Sequence, residues 1–256
     1  METARAPART RLARTWMWAW LAGLVALTLA WHDVLPGGYR LRSYVEPDST
    51  RQTRENQRHA RERWTLFEAA NATTPAGAIA FVGSSTIERF PLAACFPAKP
   101  CANRGIAFES AAALAQRMPR TLPESPAGIV LYSGTIDFHE HGAEPHAIVR
   151  SLEIAVHRIR ERSPGVPIAL IGVMPRREMS TTQIERLRTL IDALRSFASR
   201  SELAYVDTLR PPFTSPRGDL AEEVSTDRYH LDARGYDQLA RWILEDGGKV
   251  GQILAP

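Results

Sequence analysis

The chain has 256 residues, 44% of them hydrophobic and 23% charged, enough apolar side chain for a full core and too little charge for wholesale disorder. Its net charge of +4 is concentrated at one end, where Arg5, Arg9, Arg11 and Arg14 face only Glu2. No basic stripe with interleaved aromatics occurs elsewhere, which excludes a nucleic-acid binder. From Trp16 to Trp31 sixteen residues carry no charge. As a helix rising about 1.5 Å per residue they span about 24 Å, slightly under a hydrocarbon core of about 30 Å. Tryptophans at both ends, with arginines before the run, predict a transmembrane signal anchor over residues 1–31. The basic tip would stay in the cytoplasm, the helix would hold the chain to the inner membrane, and the body would lie on the extracytoplasmic, periplasmic side. Thr28 and Ala30 form a poor small-x-small pattern, the mark of the other reading, a cleaved secretion leader.

Residues 32–50 are polar, with two prolines and two glycines, and read as a linker. An arginine-rich helical stretch follows, Arg51 to Asn71, whose charge run is a solvated face and whose end carries Trp64, Phe67 and Ala70. Residues 76–256 then form the main domain. Ile79–Val82 is a short apolar run ended by Gly83, and further strands are predicted around Cys101–Ile106, at Gly128–Tyr132, Ile168–Val173 and Ala204–Val206. Between them Ile148, Leu152, Ala155 and Ile159 form one helical stripe, and Ile184, Leu187, Ile191, Leu194 and Ala198 another. A last helix is predicted from Ala233 to Glu245. Continuous apolar strands separated by amphipathic helices predict an α/β fold, a mainly five-stranded parallel sheet, doubly wound, with helices on both faces. Ligands of such sheets bind beyond the carboxyl ends of the strands.

Cys95 and Cys101 flank a loop with Pro97 and Pro100, close enough to form a disulfide in an oxidising compartment, two free thiols being the other reading. They have no histidine partners and make no zinc site. His139, His141 and His146 cluster after the third strand, but Glu140 and loop spacing give no defined metal geometry. The chain lacks G-x-G-x-x-G and P-loop patterns, so no nucleotide cofactor is expected, and Ile87 stands where G-x-S-x-G needs its second glycine.

Polar groups gather at the strand ends: Gly83-Ser84-Ser85-Thr86 after the first, Asn103-Arg104-Gly105 after the second, and Ser133-Gly134-Thr135-Ile136-Asp137 after the third. Asp227-Arg228-Tyr229-His230 stands just before the last helix. These four blocks, in order, resemble those of the SGNH (GDSL) serine hydrolases: FVGSSTIERF, NRGI, YSGTID and DRYHLDARGY. The resemblance covers about residues 76–246. It implies an ester hydrolase with Ser85 as nucleophile, His230 as its base and Asp227 as the carboxylate that orients the imidazole. It further implies the backbone amides of Ser85 and Gly105 as oxyanion donors, a small or carbohydrate-linked acyl ester, a lipid ester or a thioester as substrate, and no cofactor or metal. Ser84 is the competing nucleophile.

One position departs from that pattern. The family's third block has an asparagine whose amide is a further oxyanion donor, and Ile136 stands there. The three asparagines, Asn56, Asn71 and Asn103, all lie earlier in the chain. Losing such a donor costs about 2.7–4 kcal/mol, or ~10²–10³ in rate. Thr135 is the candidate substitute and Asp137 a rim residue. A slow enzyme, or a non-catalytic binding protein of the envelope, is the other reading.

Overall fold

The computed structural model describes residues 8–31 and 48–256. The chain divides into two units, Met1–Glu55 and Asn56–Pro256. In the first, helix α1 (Ala8–Trp31) covers the charge-free run, with Trp16, Trp18 and Trp20 exposed. Among the described residues, however, no helix is long and apolar enough to cross a membrane. This corrects the expected transmembrane anchor. The uncharged stretch is short for a bilayer, and four tryptophans, Gly23 and Thr28 dilute what apolar length it has. The basic tip before residue 8 and most of the expected linker, 32–47, lie outside the described residues. Helix α2 (Asp48–Asn71) starts slightly earlier than its predicted Arg51, and the boundary between the units falls inside it.

Five parallel strands make the centre of the second unit: β1 (Ile79–Gly83), β2 (Cys101–Gly105), β3 (Gly128–Tyr132), β4 (Ile168–Ile171) and β5 (Ala204–Val206), in the spatial order β2-β1-β3-β4-β5. Alternation assigns their side chains to two cores. Ala80, Val82, Ile129, Leu131 and Leu170 point into one, with α5 (Ala111–Thr121), α7 (Pro145–Arg162) and α8 (Thr181–Arg200). Ile79, Phe81, Val130, Tyr132, Ala169 and Ile171 point into the other, with α9 (Ala233–Asp246) and α10 (Gly248–Leu254). Each fully buried Leu, Ile or Phe contributes roughly 1.5–3 kcal/mol, so strands apolar on both faces are committed to this sandwich. The stripes predicted on α7 and α8 are buried throughout. Since β2 lies on one side of β1 and β3 on the other, the winding reverses between β1 and β3, the place at which sheets of this kind bind ligands.

Short helices α3 (Ser85–Glu88) and α4 (Leu92–Cys95) follow β1, and α6 (Thr135–His139) follows β3. The periodicity did not reveal α5, because Pro119 interrupts it and Arg117 sits at the centre of its buried face. That guanidinium is fully buried and bonds both oxygens of Glu109, at 2.7 and 2.8 Å, and the carbonyl of Arg104 at 2.7 Å. Burial pushes the Glu109 carboxyl up, and the Arg117 charge pulls it back. Arg104, lowered to about 10 by burial and by the charges of Arg117 and Arg63, bonds Thr121, Asn71 and Thr74.

The expected disulfide is absent: Cys95 and Cys101 are both free. Cys95 ends α4 with its thiol 3.9 Å from Asp237 Oδ1, whereas Cys101 opens β2 and is held in its ladder. Burial raises both thiols, Cys101 to about 11, so neither is a thiolate at neutral pH.

His139 ties α6 to the strand end beyond β4: its Nε2–H donates to Met174 O at 3.0 Å. Burial lowers this imidazole to about 4; the Met174 bond opposes the shift and the Arg176 charge adds to it.

Two stability predictions follow from these buried groups. Arg117→Met strands the Glu109 carboxylate and should cost about 3–5 kcal/mol in urea denaturation, with most of it recovered in Arg117→Met/Glu109→Leu; a single-variant loss under 1 kcal/mol (about a tenth of a typical domain stability) would show the pair is not buried as described. For His139, the unfolded chain binds a proton between about 6.5 and about 4 that the folded chain refuses. Stability is therefore unaffected above the higher value and declines as pH falls through this window. His139→Gln should reduce the loss between pH ~7.5 and ~4.5 by roughly 1–3 kcal/mol; parallel curves for the two proteins would refute the buried neutral imidazole.

Candidate active site

Three chain segments meet beyond the carboxyl ends of β1, β2 and β3. The first turns sharply at Gly83, where a Cβ would come within 2.1 Å of Tyr132 O. Ser84 is extended and caps α3, and Ser85 opens that helix. Ser84 is buried and its hydroxyl has no partner among the described residues. Ser85 is only half-buried, and its hydroxyl lies 3.2 Å from His230 Nε2. Of the two serines, only Ser85 has an imidazole beside it.

The imidazole comes from the turn before α9. Asp227 Oδ1 accepts the amides of Tyr229 (2.8 Å) and His230 (2.9 Å), which closes the turn, while Oδ2 stands 2.8 Å from His230 Nδ1. With Nδ1–H donating to the carboxylate, the lone pair of Nε2 is left to accept from the Ser85 hydroxyl. Partial burial alone would raise Asp227, but the Tyr229 amide and the His230 ring and amide hold it down at about 2. It is ionised at any working pH. Asp232, just beyond, caps α9 by accepting from Gly235 N at 2.8 Å.

The oxyanion side differs from the sequence-based expectation. The Ser85 amide, first in α3, has no hydrogen-bond acceptor among the described residues. The Gly105 amide, expected to be a second donor, instead donates to Asn103 Oδ1 at 2.9 Å. Asn103 Nδ2 in turn bonds Ile87 O at 2.6 Å and Glu88 O at 3.2 Å, tying β2 to α3. A glycine is required at 105 because a Cβ there would meet Glu88 N at 2.1 Å. Ile136 offers no side-chain donor. The Thr135 hydroxyl donates to Tyr132 OH at 2.8 Å, and Asp137 Oδ2 accepts from Ala111 N at 2.9 Å, at the start of α5. Neither stands in for the missing asparagine. Gly134, at φ +103°, supplies the left-handed turn into α6 that a side chain would strain.

Two sets of contacts around the site were not indicated by the sequence, although His139 and Tyr229 stood in blocks already noted there. Arg63 on α2 donates through Nε and Nη2 to Gly105 O, at 3.1 and 2.9 Å. His59 lies 3.0 Å from Glu88 Oε2, which also accepts from Ala107 N at 2.5 Å, so α2 and α3 together grip the loop after β2. On the other flank, His139, Tyr229 and Arg176 pack together. Such contacts join segments far apart in the chain and follow no spacing rule. Among the described residues, no group of three His, Cys, Asp or Glu side chains is placed to hold a metal ion.

The pattern of the GDSL-like Lipase/Acylhydrolase family matches residues 85–238. The platelet-activating factor acetylhydrolase IB subunit alpha1 of Homo sapiens is 22% identical over 139 residues, which cover 51% of this chain and 59% of that protein. The chain thus spans about three fifths of the length of that relative. A solved structure described as a platelet activating factor from Streptococcus pneumonia has a TM-score of 0.70 and is 23% identical, covering 78% of this chain and 99% of that one. A GDSL-like lipase from Bacteroides thetaiotaomicron VPI-5482 has a TM-score of 0.63 and is 17% identical, covering 71% and 95%. An acylhydrolase from Bacteroides fragilis NCTC 9343 also has a TM-score of 0.63, at 18% identity, covering 74% and 96%. At these identities the likeness is one of fold. More than half of this chain lies inside the family's pattern, from the serine that opens α3 to the helix after the Asp-x-x-His turn, and the chain belongs to the GDSL-like lipase/acylhydrolase family.

Proposed function

We propose that the protein is a serine ester hydrolase that works through an acyl-enzyme on Ser85. The observation that carries this reading is the line of contacts from Ser85 Oγ to His230 Nε2 (3.2 Å) and from His230 Nδ1 to Asp227 Oδ2 (2.8 Å). As Ser85 Oγ bonds to the ester carbonyl carbon, its proton passes to Nε2 and the imidazolium is stabilised by Asp227. The carbonyl electrons move onto oxygen, where the Ser85 amide donates to them. Collapse expels the alcohol, protonated by His230, and leaves the acyl group on Ser85. Water, deprotonated by the same imidazole, then releases the acid. Small acyl esters are the substrate class, and acetyl is the first acyl group to test because a relative bears that activity in its name.

A second reading rests on Ile136 and on the engaged Gly105 amide: a slow or non-catalytic member that binds its ligand. One kinetic series separates the two. Purified protein should release para-nitrophenol from short-chain esters and label with a fluorophosphonate. Ser85→Ala should abolish labelling and lower kcat/KM by at least ~10³, and Asp227→Asn by about 10³–10⁴. Ile136→Asn should raise kcat by about 10- to 100-fold if a missing donor limits the rate. Undiminished hydrolysis by Ser85→Ala sinks the hydrolase reading, and absent labelling with retained ester binding favours the second.

We also infer export, on the sequence alone. Arg9, Arg11 and Arg14 precede the charge-free run, the order of a secretion leader. Residues 1–47 fused to an alkaline phosphatase that is active only outside the cytoplasm should yield active enzyme; a fusion as inactive as the leaderless control would refute export.

A further inference from the structure

Beyond β4 the chain runs through Val173, Met174 and Pro175 to Arg176, whose placement is fixed by its own backbone. Its carbonyl accepts from Leu220 N at 3.0 Å, the next amide, of Arg177, donates to Arg228 O at 2.9 Å, and its own amide meets Met179 Sδ at 3.4 Å. Its side chain lies on Tyr229: Nη1 donates to the phenol oxygen at 3.3 Å, and the guanidinium carbon stands 5.9 Å from the ring centre. That ring is 6.4 Å from the His230 ring and 6.3 Å from the His139 ring. Arg176 is therefore one residue's width from the imidazole beside Ser85.

Its charge is not balanced. Arg177 pairs with Glu222, and Arg228 pairs with Glu178 at 3.3 Å. Arg176, between them, has no carboxylate within 4.0 Å among the described residues, and its buried Nε has no hydrogen-bond partner there. The neighbouring His139 is held neutral, partly by the Arg176 charge itself. Asp227, the nearest acid in sequence to Tyr229, is committed to the His230 ring and to two backbone amides. A partly buried guanidinium with a free N–H is costly unless an anion meets it. Its planar fork fits a carboxylate or a phosphate.

We propose that Arg176 is a specificity-determining residue: it receives a carboxylate or phosphate carried by the ester whose carbonyl reaches Ser85, so that the enzyme prefers anionic esters to neutral ones of the same shape. This rests on the hydrolase reading for the identity of the ligand. Tyr229 sets the distance, and the neutral His139 spares the subsite a second cation.

The test compares matched pairs. On the acyl side these are mono-para-nitrophenyl glutarate and para-nitrophenyl valerate. On the leaving-group side they are para-acetoxybenzoate and para-acetoxybenzamide, with para-acetoxyphenyl phosphate to tell phosphate from carboxylate. The wild type should favour the anionic member of one pair by roughly 10- to 100-fold in kcat/KM. Arg176→Gln should erase that preference and change the neutral ester by less than about threefold (under 1 kcal/mol), while Arg176→Lys should restore part of it. Equal loss on both members would reduce Arg176 to a prop for Tyr229, and no preference in the wild type would overturn the proposal. Calorimetry in the Ser85→Ala background separates this from failure of the hydrolase reading. Even if no ester is turned over, tighter binding of the anionic member there, lost in Ser85→Ala/Arg176→Gln, supports the subsite, and equal affinities refute it.

Discussion

The site depends on a contact that spans 145 positions of sequence: the hydroxyl of residue 85 against the imidazole of residue 230, at 3.2 Å. Neither residue is placed by its own neighbours alone. Ser85 stands where β1 ends because Gly83 lets the chain pass Tyr132 O closely, and α3 starts at once. His230 stands where it does because one Asp227 oxygen holds the turn's amides and the other holds the ring. A direct helix contact joins the two halves: Tyr236, on the first turns of α9, donates its hydroxyl to Thr86 O in α3 at 3.0 Å and packs on Phe90. A few tenths of an ångström of drift in α9 would therefore register at the Ser85–His230 contact.

The same economy governs the electrostatics. Asp227 has three donors and is held at about 2, so its charge is constant over the range in which a histidine titrates. His139, close by, is held neutral by burial. Of the imidazoles beside the Tyr229 ring, one faces a carboxylate and the other a backbone carbonyl.

Much of this was legible in the sequence, for identifiable reasons. The five strands read clearly because parallel strands buried on both faces are continuous apolar runs, and α7 and α8 read clearly because each keeps one apolar stripe. The residues of the serine, glycine and Asp-x-x-His blocks could be picked out because each sits at a strand end or beside a helix start, where backbone chemistry demands a particular residue type. What failed had no such local cause. Helix α5 hides behind Pro119 and a buried Arg117 whose partner, Glu109, lies outside the helix. The disulfide was inferred from closeness in sequence, yet one thiol turns to Asp237 and the other begins a strand. The membrane span was inferred from a charge-free run with tryptophans at its ends and arginines before it, yet among the described residues no helix is long and apolar enough to cross a membrane. Arg176 and Arg63 are invisible to any spacing rule, since their partners lie 53 and 42 positions away.

The engaged amide of Gly105 bears on how a site with few open donors could still favour a transition state. In the resting geometry that N–H donates to a neutral acceptor, Asn103 Oδ1, at 2.9 Å. An oxyanion is a far stronger acceptor than an amide oxygen, roughly twofold in bond strength. A ground-state ester carbonyl, by contrast, is no stronger than the asparagine it would have to displace. On the hydrolase reading, an exchange of Asn103 for substrate oxygen is then close to neutral when the ester binds and becomes favourable only as negative charge develops. That is differential binding of the kind that raises kcat rather than lowering KM. Asn103 is not left without partners by the exchange, because its amide nitrogen still holds Ile87 O and Glu88 O. Arg117 holds Arg104 O, the carbonyl of the same peptide, at 2.7 Å, and Arg63 holds the next one, Gly105 O, so the Gly105 N–H has a defined position. The third-block asparagine is gone, and this pair of contacts indicates where its lost contribution would have to be recovered: at the junction of β2 and α3.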